Sequence, residues 1–278
     1  MPYYCCTCQM TTTCNISLYV FDIRDFPETD AIDRSENSLS RLATDRDRVL
    51  QYHFRADRCR CLAGQLLVAN FVGQPIIRSD IQAGNSSIKP VHRQGPMFNI
   101  SHDEDLVVLA TCEGFSIGID LMRIKVSNPS VAVHEMLLNL RNIFTDIEWD
   151  YIQAGEREDG KLERFYQLWT GKEAYVKCLG TGLYTEPSEL SLHGISQSLE
   201  EQDVQITHTH DEERSRMFRI RVSSKVLPGY VVTTCAGPVG ACDPSWTKFL
   251  EPTKPKLPSR IEKLHIESLQ QIRLSQLV

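Results

Sequence analysis

A chain of 278 residues, 41% apolar and 24% charged, has the composition of an ordinary globular protein and the length for one large domain or two smaller ones. No run approaches the roughly eighteen consecutive apolar residues of a membrane span, so no membrane association is expected. The net charge of −6 argues against a general nucleic-acid binder, which carries a basic excess.

The start, Met1-Pro2-Tyr3-Tyr4-Cys5-Cys6, lacks the basic lead and apolar core of a secretory signal, which points to the cytosol. Cys5, Cys6, Cys8 and Cys14 crowd the N-terminus, and Cys59 and Cys61 form a second pair. Cys5 and Cys8 alone have Cys-x-x-Cys spacing, and with no second such pair to complete a zinc ribbon, free thiols are the expected state. A metal or redox module at the first four stays open as a competing reading.

Residues 15–23 alternate like a strand, and helical stretches follow around 35–52 and 56–72. Between Arg46 and Arg60 stand five arginines (Arg46, Arg48, Arg55, Arg58, Arg60), interleaved with Asp47 and Asp57. They suit either a salt-bridged helical face or a phosphate site, since the guanidinium fork matches phosphate oxygens. Residues 74–95 are rich in turn formers and read as loop with short strand pieces. Strands are expected at Met97–Ser101, Leu106–Cys112 and 115–121, then a helix near 130–143. Thr145-Asp146-Ile147-Glu148 is a capping box opening another helix. A further helix is expected over 161–179, with strands near 190–193, 203–208, 216–223 and 230–236. Pro252–Pro258 reads as an extended linker. Ser259 and Glu262 then cap an expected amphipathic C-terminal helix carrying Ile261, Leu264, Leu269 and Ile272. The divisions expected are an N-terminal half at 15–113, a C-terminal half at 114–245, and a linker with the terminal helix at 246–278.

Two stretches carry candidate chemistry. Ser116-Ile117-Gly118-Ile119-Asp120 reads as a buried strand ending on an acid. Trp169, Glu173 and Lys177 fall at four-residue spacing, hence on one helix face. A Glu–Lys pair at that spacing is commonly a solvated pair worth about 0.3–0.5 kcal/mol. Two carboxylates from distant elements beside a lysine can instead hold a divalent cation against a phosphate.

Taken together, Asn99-Ile100-Ser101-His102, Gly118-Ile119-Asp120 and Trp169-x-x-Lys172-Glu173-x-x-x-Lys177 resemble the 4′-phosphopantetheinyl transferases. The basic stretch Arg48–Gly64, Phe144-Thr145-x-x-Glu148-Trp149, Gly180-x-Gly182-Leu183 and Pro228-Gly229-Tyr230 add to the likeness, which covers about residues 15–240. More narrowly it looks like the larger, two-half type, and Gly118-Ile119-Asp120-Leu121-Met122 is similar to the animal aminoadipate-semialdehyde dehydrogenase phosphopantetheinyl transferases.

The resemblance implies an α+β fold of two pseudo-symmetric halves with a coenzyme A site at their interface. It implies transfer of phosphopantetheine from coenzyme A to a serine of an apo carrier protein, such as a fatty-acid synthase or aminoadipate-type carrier, by a Mg²⁺-dependent monomer. Asp120 and Glu173 would hold the metal, with Glu173 and Lys177 catalytic and Glu148 in support. Arg48, Arg60, Lys89, Asn99, Ile100, Ser101, His102, Glu173 and Lys177 would line the coenzyme A site. Many bacterial members carry a third metal-binding acid two residues after the strand aspartate; here Met122 stands there. The loop Gly84-Asn85-Ser86-Ser87 also lacks the basic residues of the animal type. A non-catalytic coenzyme A-binding or carrier-binding relative is the alternative.

Overall fold

The computed structural model describes residues 13–27, 43, 45–73, 76–77, 89–92, 95–126, 130–182, 185–194, 203–239, 242 and 263–276. In the N-terminal half, β1 (Thr13–Asp22) alternates outward and inward residues, as a sheet requires. It is followed by α1 (Arg46–Leu50), α2 (Arg55–Phe71), β2 (Ile76–Ile77), β3 (Val91–His92), β4 (Met97–Asp103) and β5 (Leu106–Cys112). β5 pairs antiparallel with both β1 and β4. α2 lies across one face of this sheet, burying Leu62, Leu66 and Leu67 against Phe21, Phe98 and Leu109. Each such leucine contributes about 1.5–3 kcal/mol of transfer free energy.

The C-terminal half begins with β6 (Ser116–Arg123), then α3 (Val133–Asn139), α4 (Asp146–Gln153) and α5 (Glu158–Leu179). β7 (Leu190–His193), β8 (Asp203–His208), α6 (Glu212–Ser215), β9 (Arg219–Ser223) and β10 (Tyr230–Gly237) complete it. The five strands run in the order β6-β10-β9-β8-β7. Leu162, Phe165, Leu168 and Tyr175 of α5 bury against this sheet's apolar residues. Gly118 sets how closely the helix approaches. A Cβ there would lie 2.0 Å from the Ala174 carbonyl oxygen and 2.5 Å from the Cys178 nitrogen, so only glycine lets α5 rest on β6. The helix stops at Gly180, whose left-handed backbone (φ 80°) closes it through a bond to the Val176 carbonyl.

The edges of the two sheets meet along β4 and β6, joined by side chains rather than by a backbone ladder. Asn99 Oδ1 accepts from the Ile119 N–H (2.9 Å), Ser101 Oγ from Leu121 (3.2 Å) and Asp103 Oδ2 from Arg123 (2.7 Å). Because alternate residues share a face, three polar side chains at positions 99, 101 and 103 meet three successive inward amides of β6.

The expected strands and the helices at 56–72 and 161–179 form with small shifts of boundary. Of the helix expected over 35–52, α1 lies within the described residues, and 28–42 lie outside them. The C-terminal helix is not formed. Lys263–Ile272 is a strand, β11, parallel to β1 at the free edge of the N-terminal sheet, giving the order β11-β1-β5-β4. The segment therefore completes the first half instead of standing apart, with Ile272 buried beneath α2. The proline-rich run 252–258 lies outside the described residues. No helix among the described residues is long and apolar enough to cross a membrane.

Candidate active site

Asp120 sits within β6, 5% exposed, opposite Thr233 of β10. Its Oδ1 accepts from Lys177 Nζ (2.6 Å) and from Ser101 Oγ (3.0 Å). Its Oδ2 is buried and has no hydrogen-bond partner among the described residues. A buried carboxylate oxygen left unpaired is costly, which marks a place built to receive positive charge.

Glu173 lies one turn before Lys177 on α5, facing the same cluster. Burial, and then the negative charge of Asp120, push its carboxyl above the usual range, while Lys177 opposes the shift. The helix and strand predicted to carry the two acids thus do bring them together, and Gly118 is what allows it. Hard oxygen donors of this kind suit a divalent cation such as Mg²⁺. Among the described residues no cluster of three or more His, Cys, Asp or Glu side chains is arranged for a metal. Met122 is half-buried against the apolar core.

His102 follows on β4 as an exposed residue. The surrounding protein, then the charges of Lys177 and Arg60, hold it below the usual histidine range. Arg60 therefore shares the electrostatic environment of the site, although its Nε is committed to the Glu104 carbonyl (2.7 Å) and its Nη1 to Asp57 (2.6 Å). Arg48 is exposed on α1, and its side chain makes no ion pair or hydrogen bond among the described residues. Arg55 and Arg58 hold backbone: Arg55 donates to the carbonyls of Phe26 and Pro27, Arg58 to those of Tyr52 and His53.

Lys89, 5% exposed, turns inward, donating to Ser116 Oγ (3.3 Å) and to the Ile117 carbonyl of β6. Asn99 and Ser101 are engaged in the β4–β6 seam. Ile100 packs toward Gly64 of α2, 3.6 Å from where a Cβ would stand.

Glu148 does not support the site. It is fully buried, and Oε2 accepts from the Thr145 N–H (2.9 Å), closing the capping box, and from Lys172 Nζ (3.0 Å). Oε1 accepts from the Leu192 N–H (2.9 Å), so both oxygens are spent on joining α4, α5 and β7. Lys172 also donates to the Ile143 carbonyl (2.7 Å), so within its motif it is a structural residue beside the candidate Glu173. The cysteines in the described residues are free thiols, six of the seven buried; Cys5, Cys6 and Cys8 lie outside them.

Sequence reading missed the bond from Ser101 to Asp120. The signal for it is the alternation Asn99-x-Ser101-x-Asp103, which puts three polar side chains on one face of β4.

Residues 116–235, from the start of β6 into β10 and containing Asp120, Glu173 and Lys177, match the family model of the 4′-phosphopantetheinyl transferase superfamily. The chain is similar to that superfamily over this segment. It is 31% identical over 190 residues to a phosphopantetheinyl transferase of Thraustochytrium sp., covering 64% of each chain. It is 31% identical over 157 residues to the L-aminoadipate-semialdehyde dehydrogenase-phosphopantetheinyl transferase of Rattus norvegicus, covering 52% of this chain and 50% of that one. A 4′-phosphopantetheinyl transferase of Paxillus involutus is 29% identical over 186 residues, or 59% of this chain and 67% of the relative. The chain thus spans just under two thirds of the first of these superfamily members and half of the animal one.

Proposed function

We propose that this chain transfers the 4′-phosphopantetheine group of coenzyme A to a serine of an apo acyl or peptidyl carrier protein, releasing adenosine 3′,5′-bisphosphate. The observation that carries the reading is the convergence of Asp120, Glu173 and Lys177 on one face between α5 and β6, within the segment that matches the superfamily.

The serine oxygen attacks the β-phosphorus, and the bond from that phosphorus to the bridging oxygen of the pyrophosphate breaks. Glu173 takes the serine proton; its raised proton affinity brings it nearer the range where a general base works at neutral pH. Lys177 offers its ammonium to the departing phosphate oxygen, which leaves as part of the bisphosphate. Asp120 and Glu173 would hold Mg²⁺, which when bound would supply neutralisation of the pyrophosphate charge. His102 and Arg60 face the nucleotide phosphates from the N-terminal half, so coenzyme A spans the seam. The protein acts as a cytosolic monomer, and its partners are carriers of the fatty-acid synthase or aminoadipate type.

The test is chromatography of coenzyme A incubated with the purified chain, Mg²⁺ and an apo carrier. Bisphosphate release that needs the carrier and is lost in Glu173→Gln supports the reading. Coenzyme A that binds but is never consumed, across several apo carriers, points instead to a non-catalytic relative.

A further inference from the structure

We infer that Glu104 is a positioning residue: paired with Lys125 across the seam, it ties the turn that follows His102 to the strand and helix that carry Asp120 and Glu173. The inference rests on the transferase reading of the same site. β4 and β5 are joined by the two-residue turn Glu104-Asp105. Glu104 has φ 48°, and among the described residues it is the one residue other than glycine with a left-handed backbone. That conformation favours glycine in a hairpin turn. Unlike Asn or Asp, glutamate has no short polar side chain to offset the strain by bonding its own backbone. Strain of this kind persists where the surrounding geometry matters.

The Glu104 carboxylate reaches the other half of the molecule. Its Oε1 accepts from Lys125 Nζ, just beyond the end of β6. The bond to Lys125 holds the Glu104 carboxyl below its usual range, and the same bond lifts the lysine above its own. The backbone on each side is anchored to an element of the candidate site. The Glu104 carbonyl accepts from Arg60 Nε (2.7 Å), which fixes the turn against α2 two residues after His102. The Lys125 carbonyl accepts from Tyr166 Oη (2.6 Å), two helical turns before Glu173 on α5. The β4–β6 side-chain bonds end at Asp103, so the Glu104–Lys125 pair is the next tie along the seam. With side chains 33% and 47% exposed, the pair adds little to folding. Coenzyme A is held by one half while the other does the chemistry, so slack in the seam reduces alignment rather than affinity.

The experiment compares wild type, Glu104→Gly, Glu104→Lys, Lys125→Glu and the double charge swap. Melting temperature, transfer from coenzyme A to a saturating apo carrier, and hydrogen exchange over residues 120–126 are measured for each. Glycine removes the strain together with the carboxylate, so Glu104→Gly is expected to melt at or above the wild-type temperature. Its kcat should nevertheless fall about fivefold, the upper end of what an exposed pair supplies. KM for coenzyme A should stay within about twofold. Both single charge changes should be slower than wild type, and the double swap, which restores the pair with reversed polarity, should recover kcat to within about twofold. Exchange over 120–126 should rise in the single variants and return in the swap. Wild-type kcat in Glu104→Gly overturns the inference, as does a double swap no faster than its parents. A Gly variant that melts lower and loses kcat and coenzyme A affinity together makes Glu104 a merely structural residue, and overturns it too. A wild type that modifies no carrier, while the exchange difference and its rescue persist, removes the transferase reading and leaves the tie across the seam standing.

Discussion

Replacing Glu148 by alanine should unfold the C-terminal half more readily without touching the chemistry directly. The carboxylate is 0% exposed and its partner Lys172 is 1% exposed, with Oε2 and Nζ 3.0 Å apart. Without it, the Lys172 ammonium stays buried with the Ile143 carbonyl and the face of Phe144, 4.9 Å from its centroid. The amides of Thr145 and Leu192 lose their acceptor as well. Breaking one side of a buried pair costs about 3–5 kcal/mol, a large part of the 5–15 kcal/mol that typically holds a domain together. Burial already lowers the proton affinity of Lys172 against the raising influence of Glu148. Losing its proton is therefore the lysine's escape, and it limits the penalty to that range. Urea unfolding followed by circular dichroism measures the change. A loss below about 1 kcal/mol would refute the structural role, and reduced turnover at unchanged stability would return Glu148 to the active site.

Glu173→Gln should lower turnover by on the order of 10²–10⁴, the usual worth of a general base, with coenzyme A affinity nearly unchanged; equal losses in both would make it a binding residue. Gly118→Ala should cost about 1–3 kcal/mol or more, as overpacking does, and lift α5 with Glu173 and Lys177 away from Asp120. Thermal melting together with carrier-modification rate checks this, and a fully active, fully stable variant would contradict it. Ile272→Ala should cost about 2–5 kcal/mol by denaturant titration, because the side chain is 1% exposed beneath α2. A loss under about 0.5 kcal/mol is what a surface residue gives, and would speak against docking of β11.

The face that carries the candidate site was legible because its signals are local and periodic. Glu173 and Lys177 are one helical turn apart, and Asp120 is an acid in an apolar strand. The capping box at Thr145 was legible for the same reason. The second duty of Glu148 was not, since Lys172 and Leu192 are twenty-four and forty-four residues away. The C-terminal strand was misread through a bulge. β11 slips register between Ile16 and Ser17 of β1, so that Ile266 and Leu269, three apart, stand opposite Ile16 and Leu18, two apart. That spacing imitates a helix, and the period of two that betrays a strand is lost. Lys89 and the arginines were read from their charge, whereas Lys89, Arg55 and Arg58 spend their donors on backbone carbonyls.

The central claim is that this chain moves phosphopantetheine onto a carrier serine. It is tested most directly by the intact mass of an apo carrier after incubation with the chain, coenzyme A and Mg²⁺. The account predicts a gain of one phosphopantetheine group, located on a single serine by fragmentation and absent with Glu173→Gln. A folded, coenzyme A-binding chain that leaves every apo carrier at its starting mass would contradict it.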